Sequence, residues 1–345
     1  MPGRSIRLLG LAAGAAATVA GAAYTAERVA ARRLRRNPDT DSAAELVPRF
    51  DEVRSIPSFD GGAINVISRG EGPPIVLSHG VTLSVRTWVK QMDALPDAGF
   101  RTIAFDHRGH GASTVGERGH TLETLAADVR SVVESLDLRD AVLVGHSMGG
   151  VAVQLFCLHH PEIAAERVAG IVLLSTLAKT YLSGNRRLLQ LIDAVSAATP
   201  DAGGVLALSN LGLLISRIGF GRHPQPSHVE LTRQMILACA TETRKASPSA
   251  LLGLHLADEL AQLAVPTLVI CGTNDVLTPP AESRRIARLI PGARLEMLEG
   301  AGHMGMLEQS ETVDRLIIDF AHEVQQQPQS RTRADRDGTD QQASA

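Results

Sequence analysis

The chain is poor in cysteine, in net charge and in internal repetition, and each shortage removes a class of protein. Three cysteines, Cys157, Cys239 and Cys271, are scattered over 345 residues with no C-x-x-C pair. An odd, dispersed set argues against a disulfide framework and against a zinc site, so no metal is expected. Each lies in an apolar run and reads as a buried free thiol. The net charge is only −3, so nothing points to nucleic acid or another polyanionic partner. No period of solenoid length is visible. What remains is an ordinary globular balance, 44% hydrophobic and 21% charged, in a chain that easily buries a core.

Charge is also missing locally. Leu8 to Ala26, "LLGLAAGAAATVAGAAYTA", holds no charged residue over 19 positions, against the roughly 20 a helix needs to cross a hydrocarbon core. Arg4 and Arg7 precede this run, and Arg28, Arg32, Arg33, Arg35 and Arg36 follow it. The more basic flank stays in the cytoplasm. The leading expectation is therefore a membrane association through residues 8–26, with the C-terminal bulk cytoplasmic. Ala and Gly dominate the run, which makes insertion only weakly favourable. A cleaved secretory signal and a peripheral or soluble helix are the rival readings.

The expected organisation is an apolar segment at 1–36, a linker at 37–49 and an α/β core in two parts, 50–176 and 264–323. An all-helical insertion at 177–263 separates the two parts, and an apolar-poor, disordered tail occupies 324–345. In the core, strand-like runs at Ala63–Ser68, Ile75–Ser78, Thr102–Phe105, Ala141–Val144, Gly170–Leu174, Thr267–Cys271 and Arg294–Leu298 alternate with helical periodicity. The helical stretches are Val85–Ala98, Leu122–Leu136, Gly149–His160, Ala281–Ile290 and Thr312–His322. Most of the strand runs are apolar throughout, as in strands covered on both faces. Such alternation predicts a mostly parallel sheet, whose functional residues lie beyond the carboxyl ends of its strands. Residues 177–263 show no clear strand and are rich in Leu, which reads as a lid over one edge of the sheet, or as a lateral helical layer.

Gly145-His146-Ser147-Met148-Gly149 fits G-x-S-x-G between a predicted strand and a predicted helix, the context that motif requires. Gly145 and Gly149 lack the Cβ atoms that would clash in so tight a turn. Ser147 is then presented near a helix N-terminus, where developing negative charge is favoured. A serine hydroxyl is a weak nucleophile, so a base and an orienting acid are needed. Asp275 follows the strand ending at Cys271 and His303 follows the strand ending near Leu298, in the chain order this architecture uses. His303 is the expected base, and Asp275 would fix its tautomer. Glu299 is a rival acid, although it shares the histidine's loop. His146 reads as a packing residue of the elbow, and His79, His107 and Asp106 as residues that structure loops. Oxyanion donors are expected from the backbone N–H groups of Met148 and Val81, the latter in the loop after Ile75–Ser78.

With these residues in place, the chain resembles the α/β-hydrolase superfamily in its helical-lid form. The resemblance rests on "SHG" at 78–80, "DHRGHG" at 106–111, "GHSMG" at 145–149, "GTNDVLTPP" at 272–280 and "GAGHM" at 300–304. It implies an eight-stranded sheet, a Ser147–His303–Asp275 triad, the Val81 and Met148 oxyanion hole, and no cofactor. The expected activity is hydrolysis of a carboxylic ester, lipophilic because the insertion is apolar. The same triad also serves lactonases, thioesterases, C–C hydrolases and cofactor-free haloperoxidases or perhydrolases. A catalytically silent binding protein is the reading from a different class.

Overall fold

A computed structural model of the chain describes residues 25–41, 46–180, 207 and 209–326. Eight strands form one sheet: β1 (Glu52–Pro57), β2 (Ala63–Arg69), β3 (Pro74–Ser78), β4 (Arg101–Phe105), β5 (Ala141–His146), β6 (Val168–Leu174), β7 (Thr267–Gly272) and β8 (Arg294–Leu298). Their order is β1-β2-β4-β3-β5-β6-β7-β8. The pairs β1–β2 and β2–β4 are antiparallel and all others are parallel. β1 escapes a hydrophobic-pattern reading because, at the sheet edge, only its Ile56 is buried.

The alternating side chains of the parallel strands divide into two cores, as the period of two in a strand demands. Ile75, Leu77, Val142 and Val144 face one cluster with Met92 and Leu95 of α2 (Gln91–Asp97). That cluster also takes Val313, Ile317 and Phe320 of α11 (Ser310–Gln326). Val76, Leu143, Ile171 and Val269 face the other, against α3 (Leu122–Ser135), α4 (Met148–His159) and α9 (Pro280–Leu289). Each fully buried aliphatic side chain here contributes about 1.5–3 kcal/mol. Local signals set the helix starts: Thr121 and Thr124 exchange bonds in a capping box at α3, and Pro280 opens α9 with its φ already preset. Residues Met148 to Cys157 of α4 are buried all round, as a helix between layers must be. The short α5 (Pro161–Arg167) follows it.

A fully buried arginine anchors the turn after β4. Arg108 donates Nε and Nη2 to the two Asp128 oxygens at 2.6 and 2.9 Å, and Nη1 to Asp60 at 3.0 Å and to the Gly119 carbonyl at 2.7 Å. Charged and planar, it is tolerable in the interior because its donors are used.

Within the inserted region, α6 (Ser209–Ser216), α7 (Pro226–Ala238) and α8 (Thr241–Leu251) are described. Residues 181–206 and 208 of the expected all-helical insertion lie outside the described residues, as does the tail from 327 onward.

The expectation of a membrane location needs correction. Among the described residues no helix is long and apolar enough to cross a membrane, and residues 1–24 lie outside them. The membrane-anchor reading of residues 8–26, and the cytoplasmic placement derived from it, are withdrawn. Two physical reasons bear on this. The Ala- and Gly-rich run offers little transfer free energy, and the basic stretch after it is part of the folded body. Residues 25–34 form a helix, α1, on which Ala31 and Leu34 are buried. Leu34 joins the same apolar cluster as Val229 and Met235 of α7. Downstream, the Asn37 amide donates to the Pro224 carbonyl at 3.0 Å, and Asp39 accepts the Ser227 N–H and hydroxyl at 2.9 and 2.6 Å. Asp41 bridges Lys90 and His228.

Candidate active site

Strand order locates the site. The chain crosses from β3 to β4 on one side and returns to β5 on the other, so β3 and β5 are neighbours whose following loops diverge. Their carboxyl ends form the crevice where open α/β sheets bind ligands. Ser78 and Gly145 are paired in that register, which sets the Gly80–Val81 loop beside Ser147.

Ser147 has φ +53° and ψ −118°, a strained conformation for a residue with a Cβ. The turn survives because its neighbours lack side chains. A Cβ on Gly145 would lie 2.5 Å from Gly150 Cα, and one on Gly149 would lie 2.2 Å from the Ser78 carbonyl oxygen. The Ser147 N–H donates to the Leu174 carbonyl at 3.1 Å, and Thr176 Oγ1 donates to the Ser147 carbonyl at 2.7 Å. Met148 is the first residue of α4, so its N–H is one that the helix itself leaves unpaired. Val81, Ser147, His146 and His303 line one pocket.

Asp275 and His303 meet from two later loops. His303 donates Nδ1–H to Asp275 Oδ2 at 2.9 Å, which leaves Nε2 as the ring's acceptor. Asp275 also accepts the Leu277 and Thr278 N–H groups on Oδ1, at 2.9 and 2.8 Å, and the Thr278 hydroxyl on Oδ2 at 2.8 Å. Burial alone would raise the Asp275 pKa. The His303 charge and hydrogen bond, with the Thr278 donors, outweigh it and hold the carboxyl below its ordinary value. Glu299 is exposed, whereas Asp275 is the carboxylate bonded to His303.

Two contributors were not assigned these roles from sequence. Thr278 Oγ1 lies 3.2 Å from His303 Nδ1 and so touches both members of the pair. Its only sequence signal is an Asp followed three residues later by a Thr, a turn pattern. His146, read as packing, donates Nε2–H to the His303 carbonyl at 3.0 Å, with ring centroids 4.6 Å apart. Burial pushes its pKa well below the ordinary histidine value, and the nearby His303 adds to this. His79, His107 and Asp106 support the loops, as expected. His79 donates Nδ1–H to the Gly80 carbonyl at 2.7 Å and accepts the His107 N–H at 3.0 Å. Asp106 accepts the Val85 N–H at 2.8 Å.

The pocket holds about 260 Å³. Its apolar wall is built by Leu83, Ile215, Ile218, Ile236, Leu277 and Met304, so the α6 and α7 region closes one side. Its polar lining includes Ser147, His303, Thr82, Ser216 and Thr232. Such a site can present a hydroxyl, an imidazole and backbone donors to a small polar group attached to an apolar one. Among the described residues no group of His, Cys, Asp and Glu could hold a metal ion.

Comparison with known proteins agrees with this architecture. A non-heme chloroperoxidase, CPO-A1, from Kitasatospora aureofaciens is 32% identical over 252 residues, 71% of this chain and 90% of that protein. A thermophilic esterase from Thermogutta terrifontis superposes with a TM-score of 0.66 at 28% identity, over 79% of this chain and 99% of that one. The enol-lactonase from Burkholderia xenovorans LB400 gives a TM-score of 0.66 at 27% identity, over 77% and 99%. Residues 75–316 match the Alpha/beta hydrolase family, and the protein belongs to that family of enzymes.

Proposed function

We propose that this protein is a serine hydrolase that cleaves a carboxylic ester through an acyl-Ser147 intermediate. The observation that carries the reading is the Asp275–His303 hydrogen bond at the pocket that Ser147 also lines. In the first step His303 Nε2 takes the Ser147 hydroxyl proton as Oγ attacks the ester carbonyl. The oxyanion forms against the Val81 and Met148 N–H groups, each worth about 3–4 kcal/mol in such sites. His303 then protonates the departing alkoxide, and the acyl group remains on Ser147. Water, deprotonated by His303, attacks the acyl carbonyl and releases the acid. Asp275 keeps the imidazole oriented and stabilises its charged form.

Residues 209–238 of the inserted segment serve as the lid in this reading, and the apolar wall they help to build accepts a lipophilic acyl or alkyl group. A pocket below the roughly 300–1,000 Å³ usual for ligand sites suits a short or medium chain better than a long one. A series of p-nitrophenyl esters of increasing acyl length tests this, together with fluorophosphonate labelling of Ser147. A maximum at short to medium length is expected. Absence of labelling, or turnover unaffected by Ser147→Ala, would refute the reading.

The similarity to a named chloroperoxidase favours one second reading. Hydrogen peroxide in place of water would attack the acyl-Ser147 carbonyl, freeing Ser147 and releasing a peracid that oxidises halide. Bromide oxidation dependent on both peroxide and a carboxylic acid distinguishes this from hydrolysis alone.

A further inference from the structure

The His303 loop is fastened to the inserted segment by a carboxylate outside the set described so far. Glu308, in the short helix α10 (Gly305–Glu308), accepts the Gly302 N–H on Oε1 at 2.8 Å and the Gly221 N–H on Oε2 at 2.7 Å. One oxygen holds the residue before His303, and the other holds the turn after α6. The two strips also touch directly. The His303 and Met304 N–H groups donate to the Gly219 carbonyl at 2.8 and 3.1 Å, and the Arg222 N–H donates to the Gly300 carbonyl at 3.2 Å. Contact is so close that a Cβ on Gly221 would lie 2.0 Å from the Gly300 carbonyl oxygen, and one on Gly302 would lie 2.4 Å from the Gly221 nitrogen. Arg217 stitches the same turn by donating to the Phe220 and Arg222 carbonyls.

We infer that Glu308 is a positioning residue for His303, setting the imidazole through the Gly302 amide and tying it to the segment that walls the pocket. The physical argument is one of matching demand. Two backbone N–H groups converge from strips 81 residues apart in the chain, Gly221 and Gly302. Each needs an acceptor once the strips have closed on each other. A carboxylate presents an oxygen to each and makes charge-assisted bonds. Burial raises the Glu308 pKa, and the two N–H bonds oppose this, so the amides themselves favour the form that holds them. His303 is then fixed on three sides: Asp275 at Nδ1, His146 at its carbonyl, and Glu308 through the N–H of the preceding residue, Gly302. Ile218 and Gly219, which line the pocket, lie in the strip that shares this carboxylate, so the pocket wall and the base share one fastening.

This inference rests on His303 being the base, and its test separates the two. Full-length protein and the variants Glu308→Ala and Glu308→Gln are compared by three measurements. These are the downfield NMR resonance of the His303–Asp275 proton (assigned by its loss in His303→Gln), kcat and KM on p-nitrophenyl butyrate, and the melting temperature. Glu308→Ala is expected to shift or broaden that resonance and to lower kcat about 30- to 100-fold, the scale of a misplacement near 1 Å. KM should change less than kcat, since the pocket-lining side chains themselves are kept and only their fastening is loosened. Glu308→Gln retains one acceptor and should fall between, about three- to tenfold down in kcat. It carries the test alone if the alanine variant does not fold. An unchanged resonance overturns the inference whatever the rate, and so does a shifted resonance with unchanged kcat in an active enzyme. If the wild type cleaves no ester yet the variants shift the resonance, the ester reading fails and the positioning role stands.

Discussion

The β5–α4 turn that carries Ser147 and the loop that carries His303 each fix one side chain that lines the same pocket, by different means. The serine turn is held by contact: strand register, a positive φ and glycines whose hydrogens face backbone at distances no Cβ could occupy. The histidine loop has a close glycine contact of its own at Gly302, but adds side-chain bonds that the serine turn has fewer of: Asp275, Thr278, His146 and Glu308 each donate to it or accept from it. A packed turn has a single arrangement and fails abruptly when crowded. A hydrogen-bonded loop can lose one partner and relax. The nucleophile side should therefore be brittle and the base side graded.

Substitutions can break or sharpen that contrast. The largest effect belongs to Ser147→Ala, which should remove fluorophosphonate labelling and lower kcat by about 10⁵-fold or more, with a near-normal urea midpoint. Asp275→Asn keeps the shape but offers His303 the wrong tautomer, and a fall of about 10⁴-fold in kcat is expected. Gly149→Ala tests brittleness directly. Its Cβ would sit 2.2 Å from the Ser78 carbonyl oxygen, and a loss of about 3 kcal/mol in urea unfolding is expected. A variant as stable as the wild type would show that the turn is not held by contact. Thr278→Val tests gradation. It removes one donor from Asp275 and should cost about tenfold in kcat while the protein stays folded.

The smallest effect is one of pH. Burial raises the Asp60 carboxyl, but the Arg108 bond and the Arg118 and Ser58 donors outweigh it, leaving a pKa of about 2 against an ordinary 3.8. The folded value is the lower one, so this contribution is complete above about pH 4 and is lost as pH falls through about 2. In Asp60→Asn the urea midpoint should fall less steeply over that window than in the wild type. Equal slopes would remove Asp60 from the acid response.

Residues that act through local geometry could be read from the sequence. Ser147 and Asp275 stood out because each follows an apolar, β-branched run, and His303 because it follows the last strand-like run, in the order the sheet uses. Alternation likewise located β2 to β8. β1 was hidden because an edge strand pairs through its backbone and buries little. α5 was hidden by its length of seven residues. Partners that meet only in three dimensions left no pattern. Nothing near Glu308 announces Gly221, and nothing in the polar composition of 37–41 announces Pro224, Gln225 or Ser227, whose groups it meets across about 185 residues. Pairing across such separations is fixed by the closed fold, while a sequence pattern reports burial and periodicity.

The contacts of 37–41 bear on how the chain can be shortened. The family match begins at residue 75 and β1 at Glu52, so trimming to about residue 50 would spare every strand. It would also strip Asp39 from the first turn of α7 and Asp41 from His228 and Lys90. Thr232 and Ile236 on that helix face the pocket. A boundary chosen by homology would thus keep the sheet and remove a support of the pocket wall, so substrate preference measured on the trimmed protein would describe a different cavity.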